Sequence, residues 1–333
     1  MALGAAATIA ATPALAGSHA PKERNYILST ASTGGTYYPV GVALSTLVKV
    51  KLQPKQKIGM SAINSAGSGE NVKLLRENEA QFAILQGLFG YYAVNGVGPV
   101  ESAGPQKELR SVTMLWQNVE HYVVPATAAS SGTVDDIVAM QGKKLGMGKK
   151  NSGTIGSNTV IMGNLGLDIT KNAELFHAGY GPTVDAFQNG QIDGFGIPAG
   201  VPVGAITKVA SAMGDKMKIL SMTPEQQKKA DGDFGLWTPY TIPAGTYPGQ
   251  DADVQTVAQP NFLAVRADVD EDAVYRITKA IYENLPFLNA IHKATTAMDV
   301  QKAIAGLPAP LHPGAAKYYK EVGMEIPENL IAK

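Results

Sequence analysis

The chain has no cysteine, only 7% aromatic and 17% charged residues, and its 28 basic side chains balance 28 acidic ones. Each shortage removes a class of function. Without cysteine no disulfide, thiolate nucleophile, cysteine-ligated zinc or lipid anchor on an amino-terminal cysteine is expected. A formal net charge of zero supplies no long-range field to gather nucleic acid or an anionic membrane surface, so neither is expected as a partner. The histidines His19, His121, His177, His292 and His312 are scattered, with no i, i+4 pair and no zinc-type spacing, so each reads as a surface or core residue and no metal is expected. No internal stretch approaches the ~20 apolar residues needed to cross a bilayer, so the mature chain is not expected to span a membrane. The nucleotide-binding patterns are missing too: no Gly-x-x-x-x-Gly-Lys-[Ser/Thr] occurs, the spacing around Gly34-Gly35 is not Gly-x-Gly-x-x-Gly, and no cofactor is expected.

What the chain does have is length, apolar residues and glycine. Its 333 residues exceed what one ordinary core of roughly 250–300 residues serves, and 45% hydrophobic composition is ample for two. Residues Met1 to Ala20 form an apolar, Ala-rich run containing Ala14-Leu15-Ala16, the small-x-small pattern cut by signal peptidases. It reads as the remnant of an export signal, although a basic n-region is absent. The expected location is the periplasm, in soluble form.

Glycine (36) and proline (20) fall between short apolar runs, the punctuation of an α/β fold. Tyr26-Ile27-Leu28 predicts a strand, Ser32-Thr33-Gly34-Gly35-Thr36 a turn, and Val40, Leu44, Leu47 and Val48 one face of a helix. The cycle repeats with a strand over Ile58 to Ile63, the turn Ser65-Ala66-Gly67-Ser68-Gly69 with Ser68 as N-cap, and a helix over Asn71 to Asn78. A strand over Ala80 to Leu85 then ends at Gln86-Gly87. A second series begins after His121-Tyr122-Val123-Val124. It predicts a helix start at Thr133 to Asp136, a strand over Lys144 to Met147, the turn Asn151-Ser152-Gly153-Thr154, and a helix carrying Ile161 and Leu165 that stops at Gly166. Further on come a helix over Thr183 to Asn189 and a strand over Gln191 to Phe195. Val254 to Val265 predicts a strand returning to the first unit, and Val274, Ile277, Ile281 and Leu285 a closing helical tail.

Turns rich in Ser, Thr and Gly at helix N-termini aim backbone N–H groups, hydroxyls and the positive end of the helix dipole at one point, which suits an anion. One such turn is more often a cap that binds nothing. Three at equivalent strand ends, at 32–36, 65–69 and 152–154, point to a cleft. Trp116, Trp237, Tyr37, Tyr38 and Tyr180 are candidates to wall it, or to pack the core. Gly-x-Ser-x-Gly is absent, and Ser68 or Ser152 as a hydrolase nucleophile lacks any placed histidine and acid, so no catalytic residue is assigned.

The run Thr30-Ala31-Ser32-Thr33-Gly34-Gly35-Thr36-Tyr37-Tyr38-Pro39 resembles the TAXI family, the extracytoplasmic solute receptors of one class of TRAP transporters. The resemblance continues through Gly67-Ser68-Gly69-Glu70-Asn71, Gln86, His121-Tyr122-Val123-Val124, Ser152-Gly153-Thr154, Gly190-Gln191-Ile192-Asp193 and Ile242 to Gly249. It implies a type II periplasmic-binding-protein fold, two α/β lobes joined by two β hinge strands. It implies also a small carboxylate ligand such as glutamate, 2-oxoglutarate or a related dicarboxylate, and TRAP membrane subunits as partner. Lobe 1 is expected over 25–120 plus 260–333 and lobe 2 over 121–259, in a monomer. Carried over by position, the ligand-binding candidates are Ser32, Thr33, Gly35, Thr36, Tyr37, Ser68, Gln86, Ser152, Gly153, Thr154 and Tyr180. The sequence departs from the family at Ser29, Ala31 and Gly87. Arg24, Arg76, Arg110, Arg266 and Arg276 all lie outside the motif turns, so backbone amides and hydroxyls would have to hold the anion. A sensory receptor of the same fold, signalling to a membrane kinase, is the alternative to transport.

Overall fold

The computed structural model describes residues 22–332, and the export signal expected over 1–20 lies outside them. The first cycle forms β1 (Arg24–Ser29), α1 (Tyr37–Gln56), β2 (Ile58–Ile63), α2 (Ser68–Arg76), β3 (Phe82–Gln86) and α3 (Gly87–Asn95). A long strand, β4 (Leu109–Pro125), leads out of it. The second series is α4 (Asp135–Val138), β5 (Lys144–Gly146), α5 (Gly153–Leu165), α6 (Ile169–Asn172), β6 (Glu174–Leu175), α7 (Tyr180–Gln188), β7 (Gly194–Ala199), α8 (Gly204–Met213), β8 (Met217–Ile219), α9 (Pro224–Asp231) and β9 (Thr238–Ile242). A second long strand, β10 (Val254–Arg266), returns, and α10 (Glu271–Glu283), α11 (Leu285–Ile291) and α12 (Pro313–Glu321) close the chain.

All ten strands join in the order β2-β1-β3-β10-β4-β7-β5-β6, with β8 on β4 and β9 on β10. The parallel strands β1, β2 and β3 form one wing, and β5, β6 and β7 the other. β4 and β10 run antiparallel between the wings: Asn118 faces Gln259, upstream of which β10 takes β9 as its other neighbour, while downstream of it β10 takes β3. This is the expected arrangement of two α/β lobes on two shared hinge strands. Pro260 sits at an irregularity of the β4–β10 register, where a residue without an N–H is tolerated.

Val40, Leu44, Leu47 and Val48 on α1 are all buried against the sheet, as are Val274, Ile277 and Ile281 on α10. Each such side chain contributes about 1.5–3 kcal/mol on leaving water. A separate cluster around Val184, Phe187, Phe195, Ile197, Ile206 and Val209 packs the second wing.

Four local expectations need correction. The second helix starts at Ser68, three residues before Asn71, because Gly67 takes the N-cap place with a φ of 119°, a region L side chains rarely adopt. Ser68 therefore caps nothing in its own helix; its Oγ accepts the N–H of Gln86 at 3.1 Å. The tail helix breaks at Asn284, so Leu285 begins α11. Finally, the strand expected to start at Gln191 begins at Gly194 and runs on to Ala199.

Candidate functional site

In an open α/β sheet the space beyond the carboxyl ends of the strands is ringed by helix N-termini. Here the starts of α1, α2, α5 and α7 converge on one cleft between the wings. About 400 Å³ of empty space, partly open to solvent, is lined by Ser32, Gly35, Thr36, Tyr37, Ser68, Gln86, Gly153, Thr154 and Tyr180, all expected from the sequence. Ala31, Ala66, Gly67, Asn118, Pro198 and Ala199 complete the lining, and none of the fifteen residues is charged. Thr33 and Ser152 lie outside it. The Ser152 hydroxyl is occupied as the N-cap of α5, accepting from the N–H of Ile155 at 3.1 Å and donating to the Lys149 carbonyl at 2.7 Å.

The wings meet across this cleft largely through backbone. The Glu70 N–H donates to the Asn151 carbonyl at 2.9 Å, and the Ala205 N–H to the Gly34 carbonyl at 3.3 Å. Thr36 Oγ1 donates to the Gly200 carbonyl at 3.1 Å, and Gln86 Nε2 to the Gly153 carbonyl at 2.9 Å. Glycine makes this approach possible. A Cβ on Gly69 would lie 2.5 Å from the Asn151 oxygen, and one on Gly153 would lie 2.6 Å from Gln86 Oε1. The lobes are closed on each other.

Two tyrosines make the walls. The Tyr180 hydroxyl donates to the Pro198 carbonyl at 2.6 Å and shares a hydrogen bond with Thr154 Oγ1 at 2.9 Å. Tyr37 donates to Asn261 Oδ1 and packs edge-on against Trp116. Burial pushes both phenols far above their ordinary range, so they remain neutral donors. Trp116 and Trp237 are buried behind the cleft, and Tyr38 is not part of its lining.

A family model described as the NMT1-like family matches residues 28–323. The chain belongs to the NMT1-like family. Its fold is also that of solved periplasmic binding proteins. MatC from Rhodopseudomonas palustris, solved with bound malate, is 13% identical, with 90% of this chain and 97% of that chain covered and a TM-score of 0.57. The periplasmic binding protein BugD is likewise 13% identical, with 90% and 95% covered and a TM-score of 0.53. PhnD1 from Prochlorococcus marinus, in complex with methylphosphonate, is 11% identical, with 82% and 91% covered and a TM-score of 0.53.

The arginines of this NMT1-like chain are engaged elsewhere. Arg24 pairs with Asp270 and Asp272, Arg266 with Asp268, Arg276 with Asp272 and Arg76 with Glu77, while Arg110 donates to backbone carbonyls. Ser68 Oγ accepts from the Gln86 N–H and approaches the Tyr37 hydroxyl, the Ser152 hydroxyl hydrogen-bonds to main chain, and no histidine is among the residues that line the cleft. His121 is a core residue: Nδ1 lies 2.9 Å from the Val119 carbonyl, Nε2 lies 2.8 Å from the Tyr247 hydroxyl, and burial holds it down to about 4.

Sequence reasoning missed the buried layer that forms a floor beneath the cleft, of which Asn118 reaches the lining. Asn118 and Glu120 on β4, with Gln259 and Asn261 on β10, are buried polar side chains at alternate positions, so each pair shares one face of its strand. Asn118 Nδ2 donates to Gln86 Oε1 at 3.2 Å, and Gln259 Nε2 and Gln86 Nε2 both donate to Ser157 Oγ, at 2.9 and 3.1 Å. The signal was available as polar residues two apart inside otherwise apolar runs.

Proposed function

We propose that this protein is an exported periplasmic solute receptor that closes two lobes over a small carboxylate, such as glutamate, 2-oxoglutarate or a related dicarboxylate, and delivers it to a TRAP transporter of the TAXI type. The observation that carries this reading is the closed, uncharged cleft in which hydroxyls and helix N-termini from both wings surround one small space. Helix N-termini favour anions, and hydroxyls and amides supply the directional bonds that arginine supplies elsewhere. The motif run from Thr30 to Pro39 supports the TAXI assignment, and the malate and methylphosphonate seen in MatC and PhnD1 are small anions of the same kind. The lobes are 25–120 with 260–333, and 121–259, and the protein acts as a monomer.

No bond need be made or broken. The ligand favours the closed state by touching both lobes, and the closed state is what the membrane partner reads. A thermal-shift series with glutamate, 2-oxoglutarate, malate, sulfonates and sugars tests the reading. A carboxylate at a hundredfold excess over its Kd stabilises by about 2.7 kcal/mol, which raises the melting temperature by roughly 2 °C or more in a chain of this size. Response to sugars alone, or to none of these compounds, would remove the carboxylate assignment.

A further inference from the structure

The floor beneath the cleft, outside its lining, contains one ionisable side chain that anion capture leaves unexplained. Glu120 stands on hinge strand β4 with 1% of its surface exposed. Its Oε1 accepts from Trp237 Nε1 at 3.1 Å, and its Oε2 has no partner. Burial, the largest influence, raises its hold on the proton, the Trp237 indole, Ser157 and Gln259 approach the carboxyl and lower it, and none of the three is a cation.

The surrounding elements supply no charge either. The phenols of Tyr37 from α1, Tyr180 from α7 and Tyr122 on β4 feel the Glu120 charge, and burial keeps all three neutral. The strand neighbour on β7 is Pro198, and Thr256 on β10 donates to the Glu120 carbonyl at 2.8 Å. His121, the next residue, is turned to Tyr247 and is itself neutral. A carboxylate here would be a buried negative charge without a counter-charge, which proteins avoid by keeping the proton. Two residues earlier on the same strand, Asn118 Oδ1 is a second buried acceptor without a donor. A proton on Glu120 turns one of two unmatched acceptors into a donor.

The carboxyl is also tied to the binding surface. Gln86 lines the cleft and donates to Ser157, which approaches Glu120 and accepts from Gln259. An anion in the cleft and a charge on Glu120 would repel across this buried layer. We propose that Glu120 couples proton and ligand: the cleft takes its anion only while the Glu120 carboxyl holds its proton. The inference rests on the anion-receptor reading above and adds its regulation. Glu120 acts without touching the ligand, so it is a positioning residue. Burial raises its carboxyl to about 8, which places the coupling at mildly alkaline pH.

The test is calorimetric titration of the full chain with 2-oxoglutarate at pH 7, 8 and 9, in the wild type and in Glu120→Gln. The carboxyls of 2-oxoglutarate are fully ionised throughout this range. The expected result is an affinity up to about tenfold weaker at pH 9 than at pH 7, the ceiling for one proton on a group titrating near pH 8, with no such slope in Glu120→Gln. Wild-type titrations at pH 8 in phosphate and in Tris, whose ionisation heats differ, should show a fraction of a proton taken up per ligand bound, a readout that survives if the variant does not fold. Equal slopes in both proteins, or no slope and no proton uptake in the wild type, would overturn the coupling and leave the receptor reading intact. Absence of binding by 2-oxoglutarate, malate and glutamate at every pH would sink the receptor reading, and the coupling with it.

Discussion

The rim of the cleft is built from backbone and its floor from side chains. At the rim, Gly34, Gly67, Gly69 and Gly153 bring main chain of one lobe against main chain or short side chains of the other. At the floor, Asn118, Glu120, Gln259 and Asn261 place amides and a carboxyl on the two hinge strands, buried in either lobe's company. On the receptor reading the rim separates when the lobes open, since a few hydrogen bonds join its two sides. The floor belongs to strands that pass through both lobes and stays buried. On the receptor reading, the cleft is therefore split between a rim that assembles on closure and a supporting floor that is always present.

Three perturbations separate these regions. The largest effect belongs to the floor. Burial keeps Glu120 protonated up to about 8, whereas in the unfolded chain it ionises near the ordinary glutamate value of about 4.3. Between those values the folded state binds the extra proton, so stability falls as pH rises, by at most roughly 5 kcal/mol. Denaturant unfolding at pH 5 and pH 8 should show this loss in the wild type and a much smaller one in Glu120→Gln. Parallel profiles for the two proteins would mean that Glu120 is solvated in solution.

The next effect belongs to the rim. Gly69→Ala puts a methyl 2.5 Å from the Asn151 oxygen of the opposite lobe. Gly69 lies outside the cleft lining and inside the first turn of α2, where alanine suits a helix. In an open form its methyl meets the edge of the Phe89 ring at 3.1 Å, which must give by a few tenths of an ångström. Affinity for the ligand should fall more than tenfold while the melting temperature of the ligand-free protein stays within a degree or two. Small-angle scattering would then report a wider particle with ligand present. A loss of ligand-free stability as large as the loss of affinity would instead make Gly69 a packing residue.

The smallest effect compares two neighbouring threonine environments. Thr154 lines the cleft and Thr33 does not. Thr154→Val keeps the shape, removes the hydroxyl that meets Tyr180, and should weaken binding by roughly 1–3 kcal/mol. Thr33→Val should change it by less than about 0.5 kcal/mol. Equal effects from the two would show that the cleft lining does not define the ligand contacts.

Much of this architecture was legible in the residues. The strand, glycine turn and helix cycles around 32–36, 65–69 and 152–154 were visible because turn chemistry and helix periodicity are local, and the structure brings all three turns to the cleft. What glycine does there was only half legible. Its place at helix starts suggested an anion seat, but the approach of Asn151 to Gly69, or of Gln86 to Gly153, needs the two lobes folded against each other. Thr33 and Ser152 belong to the same motifs as their neighbours, yet one lies outside the lining and the other spends its hydroxyl on its own helix.

The sequence by itself determined the α/β class, the two-lobed plan, the freedom from cysteine chemistry and the position of the glycine turns, since each depends on composition or on residues a few places apart. Tertiary structure alone decided that Asn118 opposes Gln259, that Glu120 stands beside Trp237 and near Ser157, and that Arg24 is engaged by Asp270 away from the cleft. Those outcomes join residues separated by tens to more than two hundred positions. A pairing at that distance is set by strand register and lobe packing, which no local pattern encodes.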